Sequence, residues 1–192
     1  MIQDIINDIN VAREHEAYIS ALALTLTIPD LCGKIEFGHQ RCGGHYKEWF
    51  DKWVHNRFCQ YPKSECDLLR EAEEAGAFDG EKCYALRCAL LHSGNTELTV
   101  NQKPIVDVFE LCVYKESICM GTSTIVDISS NKVGSIKISF NVSMLIDLIL
   151  LGLDDFIKDW KSRDKENKDI EKLFQNFAKI KIVNEKDTKT VF

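Results

Sequence analysis

The amino-acid sequence predicts an α+β, mainly α fold: a helical bundle with a small antiparallel β insertion before its last long helix. Three patterns carry that expectation. Apolar side chains recur at helical spacing through most of the first hundred residues. Ile136, Ile138 and Phe140 alternate with Ser135, Lys137 and Ser139, the signature of a half-buried strand. From Val142 to Trp160 runs the most regular amphipathic stripe in the chain. The 192 residues match one ordinary domain. It divides into a helical bundle (1–100), a β insertion (104–140), closing helices (141–179) and a frayed tail (184–192).

Taken in order, Ile2, Ile5, Ile6, Ile9, Ile19, Leu22 and Leu26 predict one long helix over 2–27, ended by Pro29 because Ile28 is pushed away from helical angles. A short segment, Asp30 to Glu36, then leads into the glycine-rich loop 38–44. Tyr46, Trp49, Phe50, Trp53, Val54 and Phe58 form an aromatic core face on the next helix. Ser64 with Asp67 reads as a helix start, and Gly76 as the stop. Asp79 caps a further helix, Gly80 to His92, which Gly94 closes. In the insertion, Ile105–Val113, Thr122–Ile128 and the strand around Ile138 are three strands, the last two joined at Ser129–Lys132. The stripe beginning at Val142 must pack on more than a three-stranded sheet, and the N-terminal helices are the available surface. Beyond Lys168, Ile170, Leu173, Phe174 and Phe177 mark a last short helix.

A composition of 45% hydrophobic and 28% charged residues fits a chain with a real core and argues against disorder. No stretch approaches the ~20 consecutive apolar residues of a membrane span, and the N-terminus carries acids where an export signal needs basic residues. The expected location is the cytoplasm, with no membrane partner. In that compartment the eight cysteines read as thiols, with Cys83, Cys88 and Cys112 buried in apolar runs. The net charge of -6 is uneven: Lys161 onward holds 9 basic against 6 acidic residues, so the acidic excess lies in the first 160. Broad electrostatic grip on a duplex wants the opposite sign, so any polyanion must meet a small local positive site.

One helix concentrates the chemistry. In Cys83-Tyr-Ala-Leu-Arg-Cys-Ala-Leu-Leu91, Arg87 is the only charge, and apolar residues cover every side, which predicts burial. A guanidinium keeps its charge, so it must find carboxylates, carbonyls or a bound anion. His92 follows five residues later, where the helix ends. On a continuous α-helix that step is ~140° of rotation, too far for one face, but an unwinding last turn brings the two together. The helix C-terminus favours imidazolium and Arg87 the neutral ring, and a ring poised between them suits general acid–base work.

Arg87-Cys-Ala-Leu-Leu-His92 is an Arg-x4-His motif and resembles the signature of the HEPN superfamily (higher eukaryotes and prokaryotes nucleotide-binding domains), whose core is a bundle of four or five helices. The wider wording, Cys83 to Gly94 with Ile28 to Glu36 and Tyr46 to Asp51, looks like a group of uncharacterised bacterial HEPN-like proteins. The resemblance covers roughly the first half of the chain. It implies a metal-independent endoribonuclease with no cofactor, acting on RNA as a homodimer in which two motifs face one cleft. In that chemistry a ribose 2′-hydroxyl attacks the adjacent phosphodiester, His92 handles the proton and Arg87 neutralises the phosphoryl oxygens. Toxin or phage-defence roles come with the family, and an antitoxin or defence partner with them. At one position the sequence departs from the pattern: active families often place a polar residue directly after the Arg, and here it is Cys88. Two rivals stand beside this reading: a non-catalytic nucleotide- or RNA-binding module, and a structural dimer whose Arg87 is an internal salt bridge.

Supporting residues are Lys34 and Glu36, the latter a candidate partner for Arg87, together with Ser93 and Asn95 just past the helix end. His39, Cys42 and His45 with Cys32 are zinc-type ligands, but their spacing fits no zinc pattern and no metal site is expected. Trp49, Trp53 and Trp160 lie on core stripes and read as packing.

Overall fold

Rather than one helix over 2–27, the first apolar stripe folds into two, α1 (Ile2–Glu14) and α2 (Tyr18–Thr25). The chain turns at Glu16, whose φ of 59° is left-handed and cannot continue a right-handed helix. A straight helix of that length would run ~39 Å, too long for both ends of the stripe to reach one core. Folded back, α1 and α2 pack on each other, and Ile9, Ala21 and Leu22 are fully buried in the same core. In the computed structural model the described residues are 2–58, 67–93, 98–100, 103–106, 108–113, 120–127 and 132–163.

Pro29 starts a helix instead of ending one. It occupies the first turn of α3 (Ile28–Phe37), where its missing N–H leaves no hydrogen bond unmade. The segment 18–37 is apolar and long enough to cross a membrane by composition alone, yet half of that window is buried within this fold. Next come α4 (Gly44–Trp53), followed by a 3-10 turn at His55–Arg57, and then α5 (Asp67–Gly76) and α6 (Gly80–Cys88). The expected Asp79 cap is present: its carboxylate accepts the Lys82 backbone N–H at 2.9 Å. Strands β1 (Leu98–Val100), β2 (Lys103–Val106), β3 (Val108–Cys112), β4 (Met120–Asp127) and β5 (Lys132–Asn141) precede α7 (Val142–Arg163). The molecule is therefore mainly helical with a small β portion. The predicted Ser64 cap, Gly94, the helix near 170–177 and the tail lie outside the described residues.

Helix α4 is the hub. Three neighbouring helices each bring a glycine to its backbone: Gly33 of α3 meets His45, Gly80 of α6 meets Lys47, and Gly152 of α7 meets Trp53 and Val54. A methyl group at any of the three would sit under 3.0 Å from those atoms. Trp49, Tyr46 and Phe50 on α4 are fully buried, and Trp49 and Trp53 both meet the Phe156 ring of α7 edge-on, at 6.1 and 5.8 Å. As the sequence requires, α7 packs on the helices α2, α3 and α4.

The β portion is not purely antiparallel. β1 and β2 form an antiparallel pair, and β4 and β5 form the expected hairpin, but β3 lies parallel to β5 in a sheet of order β3-β5-β4. Strand β5 inserts between β3 and β4 because β3 and β5 carry the rings that must reach the bundle. Phe109 and Phe140 both contact Phe78, which in turn meets Phe50 and Phe58. The opposite face is polar: Glu110 accepts from Ser139 at 2.6 Å and pairs with Lys137 at 3.0 Å. Asn141 is 4% exposed and accepts the Ser143 N–H at 2.9 Å, so it caps the start of α7.

Candidate active site

Helix α6 has two unlike sides. Cys83, Leu86 and Ala89 are buried against the core. Tyr84, Arg87 and Cys88 are half-buried, and Leu91 is 37% exposed, at the i, i+3, i+4, i+7 spacing of one stripe. The apolar-all-round helix is thus not sealed, which corrects the burial expected for Arg87 and Cys88. α6 packs on α4, β1 and β2, and its remaining side forms a rim that reaches solvent. Among the other thiols, Cys32 and Cys83 are buried and free, while Cys112, like Cys88, is free and only half-buried.

After Cys88 the backbone widens into a π turn, Ala89–Ser93. At Ala89 the N–H is still shared between the Ala85 and Leu86 carbonyls, as is common at the end of an α-helix. A π turn bonds residue i to i+5 and is wider than an α turn. His92 lies inside that turn and Arg87 one residue before Cys88, on the regular part of α6. Ser93 closes the same turn, and Asn95 lies outside the described residues.

Beside this stripe sits a polar cluster built by α3 and the start of α4. The Asp30 carboxylate takes Lys34 Nζ at 2.6 Å and His45 Nε2 at 2.9 Å. His45, 3% exposed, accepts the Gln40 backbone N–H on Nδ1 at 3.2 Å. That bond leaves the ring proton on Nε2, donated to Asp30. Burial alone would raise the Asp30 carboxyl, but the hydrogen bonds from Lys34 and His45, with the Lys34 charge, outweigh it and hold it below the ordinary 3.8.

Tyr84 links the cluster to α6. Its ring lies against Gly43, which takes a left-handed φ of 70° and leaves no room there for a side chain. Tyr46 meets the ring edge-on at 5.4 Å, and Lys47 Nζ stands over it at 5.3 Å while pairing with Glu81 at 2.5 Å. The Tyr84 hydroxyl lies within electrostatic reach of Cys88, Arg87 and Asp30. Burial, with the neighbouring Cys88, raises its pKa above the ordinary 10.0 and keeps it a protonated donor. Tyr46 and Cys83, joined by a 3.4 Å hydrogen bond, are pushed up by burial as well.

Glu36 does not serve Arg87. Its carboxylate is 4% exposed and occupied by Lys52, by Arg163 at 3.2 Å and by Trp53 Nε1 at 2.7 Å. It fastens α3 to α4 and the end of α7, a structural duty. Lys34, in contrast, sits in the Asp30 cluster. The rings of His39 and His45 lie 5.6 Å apart, and among the described residues no group of three metal-type ligands assembles.

Sequence reasoning missed Asp30, His45 and Tyr84 as members of one cluster. The i, i+4 spacing of Asp30 and Lys34 was a readable signal. His45, fifteen positions from Asp30, joins them only because Gly33 lets α3 and α4 touch. No family model matches the chain, and neither a curated protein nor a solved structure matches it.

Proposed function

We propose that this chain is a HEPN-type endoribonuclease that cleaves RNA without a metal, as a homodimer in the cytoplasm. The reading rests on the Arg-x4-His resemblance, and one observation supports it further: Arg87 is half-buried on the side of α6 that reaches solvent, with His92 in the turn Ala89–Ser93 that follows at once. The 2′-hydroxyl of the ribose would form a bond to phosphorus as the 5′-oxygen leaves. The products are a 2′,3′-cyclic phosphate and a 5′-hydroxyl. His92 of one protomer takes the 2′ proton and its counterpart protonates the leaving oxygen, while Arg87 stabilises charge on the phosphoryl oxygens. A toxin or phage-defence effector, with an antitoxin or defence partner, is the biological setting of this reading.

Cys88 favours a second reading. Where active families often carry a polar residue, this chain has a half-buried thiol, which fits a non-catalytic nucleotide- or RNA-binding dimer. Incubation of end-labelled RNA in chelator, with wild type and His92→Ala, separates the two. The nuclease gives cyclic-phosphate ends that the variant does not; RNA bound but uncut by both proteins selects the binding module.

A further inference from the structure

Tyr84 occupies an unusual position for a tyrosine on a helix rim. Its ring is confined by the Gly43 backbone, the Tyr46 ring and the Lys47 ammonium, so it offers no free face for stacking a base. Only the hydroxyl end is left to act. That end lies one helical turn before Arg87, within its electrostatic reach, on the same half-buried stripe. The ring packing fixes the hydroxyl in advance, so using it loses little conformational freedom.

We propose that the Tyr84 hydroxyl is a second phosphate-binding donor of the Arg87 site, giving a hydrogen bond to a non-bridging oxygen of an RNA phosphodiester. It rests on the reading of this face as an RNA phosphate site, but not on cleavage. A phenol that stays protonated can donate to an anion without a change of charge. The nearest competitor for that donor is the Cys88 thiol, one turn along the same stripe, and sulfur is a weaker acceptor than a phosphate oxygen. Asp30 does not repel the anion strongly, because Lys34 and His45 already occupy its carboxylate.

The test is binding of a fluorescein-labelled 2′-O-methyl RNA, which lacks the attacking hydroxyl and so reports affinity alone. Wild type, Tyr84→Phe and Arg87→Ala are compared by anisotropy, with melting temperature as a fold control. Tyr84→Phe keeps the ring, so its melting temperature should stay close to wild type while affinity falls about tenfold. In a second arm one phosphate is replaced by an uncharged methylphosphonate and walked along the oligomer. At the position bound by Arg87, the replacement should weaken wild type more than Tyr84→Phe. Equal affinity of Tyr84→Phe and wild type, or an identical methylphosphonate effect in both, overturns the proposal. Absence of RNA binding by wild type overturns it together with the functional reading. Binding with the Tyr84 effect but no cleavage of natural RNA keeps the proposal and removes the nuclease.

Discussion

Helices α4 and α6 have similar length and both lie in the bundle, yet they are used in opposite ways. Around α4 the packing is closed on three sides, with glycines of α3, α6 and α7 set against its backbone and three aromatic side chains fully buried. α6 buries one stripe and leaves Tyr84, Arg87, Cys88 and Leu91 at the rim, then loosens into a π turn. Close-packed backbone tolerates almost no change in volume. A rim of polar groups held by packing from beneath is where a ligand can be met. Close packing is concentrated on α4 and half-buried polar groups on α6.

The contrast can be broken at several points. Phe78→Ala removes the ring that joins Phe50 and Phe58 to Phe109 and Phe140, and urea denaturation should show a loss of about 4 kcal/mol. Gly33→Ala pushes a methyl into the His45 carbonyl, and the same measurement should give about 3 kcal/mol. If Gly33→Ala is neutral, α4 is not the closed hub described here. Arg87→Ala, on the rim, should cost less than about 1 kcal/mol of stability while abolishing RNA binding and cleavage. A large stability loss there would mark Arg87 as a structural ion pair.

Asp30 gives a pH test. Its folded acidity constant lies below 3.8, so the folded state binds its proton less readily than the unfolded chain. The stabilisation is present above the unfolded value of about 3.9 and is lost as pH falls through the lower folded one. Asp30→Asn should therefore flatten the acid limb of the stability curve below about pH 4, and an unchanged limb would show that the cluster contributes nothing. The smallest effect sharpens the picture within α6 itself. Iodoacetamide, read by peptide mass spectrometry, should modify Cys88 on the order of tenfold faster than Cys83, since Cys83 is buried and its thiol pushed up.

Local pattern made much of this legible. Asp79 as a cap, the aromatic face of α4, the α7 stripe and the β4–β5 hairpin each follow from residues within a few positions of one another. What misled was competition between local and distant demands. The stripe over 2–27 is helical throughout its spacing, but a single core could not cover it, and the chain folded back at Glu16. Pro29 can stop a helix or start one, and only the buried position of α3 chose the second role. Glu36 looked available to Arg87 until Lys52, Trp53 and Arg163 claimed it from other elements.

By itself the sequence determined that the chain is mainly helical, which faces of α4 and α7 are apolar, and that Arg87 and His92 stand five residues apart near a helix end. Hydrogen bonds and periodicity within one turn are enough to fix such features. Tertiary structure decided that β3 runs parallel to β5, that Asp30 meets His45, and that the Tyr84 ring is held against Gly43 and Tyr46. Each of those depends on contacts between segments distant along the chain, whose geometry is set by how closely whole elements approach: Gly33 and Gly80 against α4, and the phenylalanine cluster beneath the sheet.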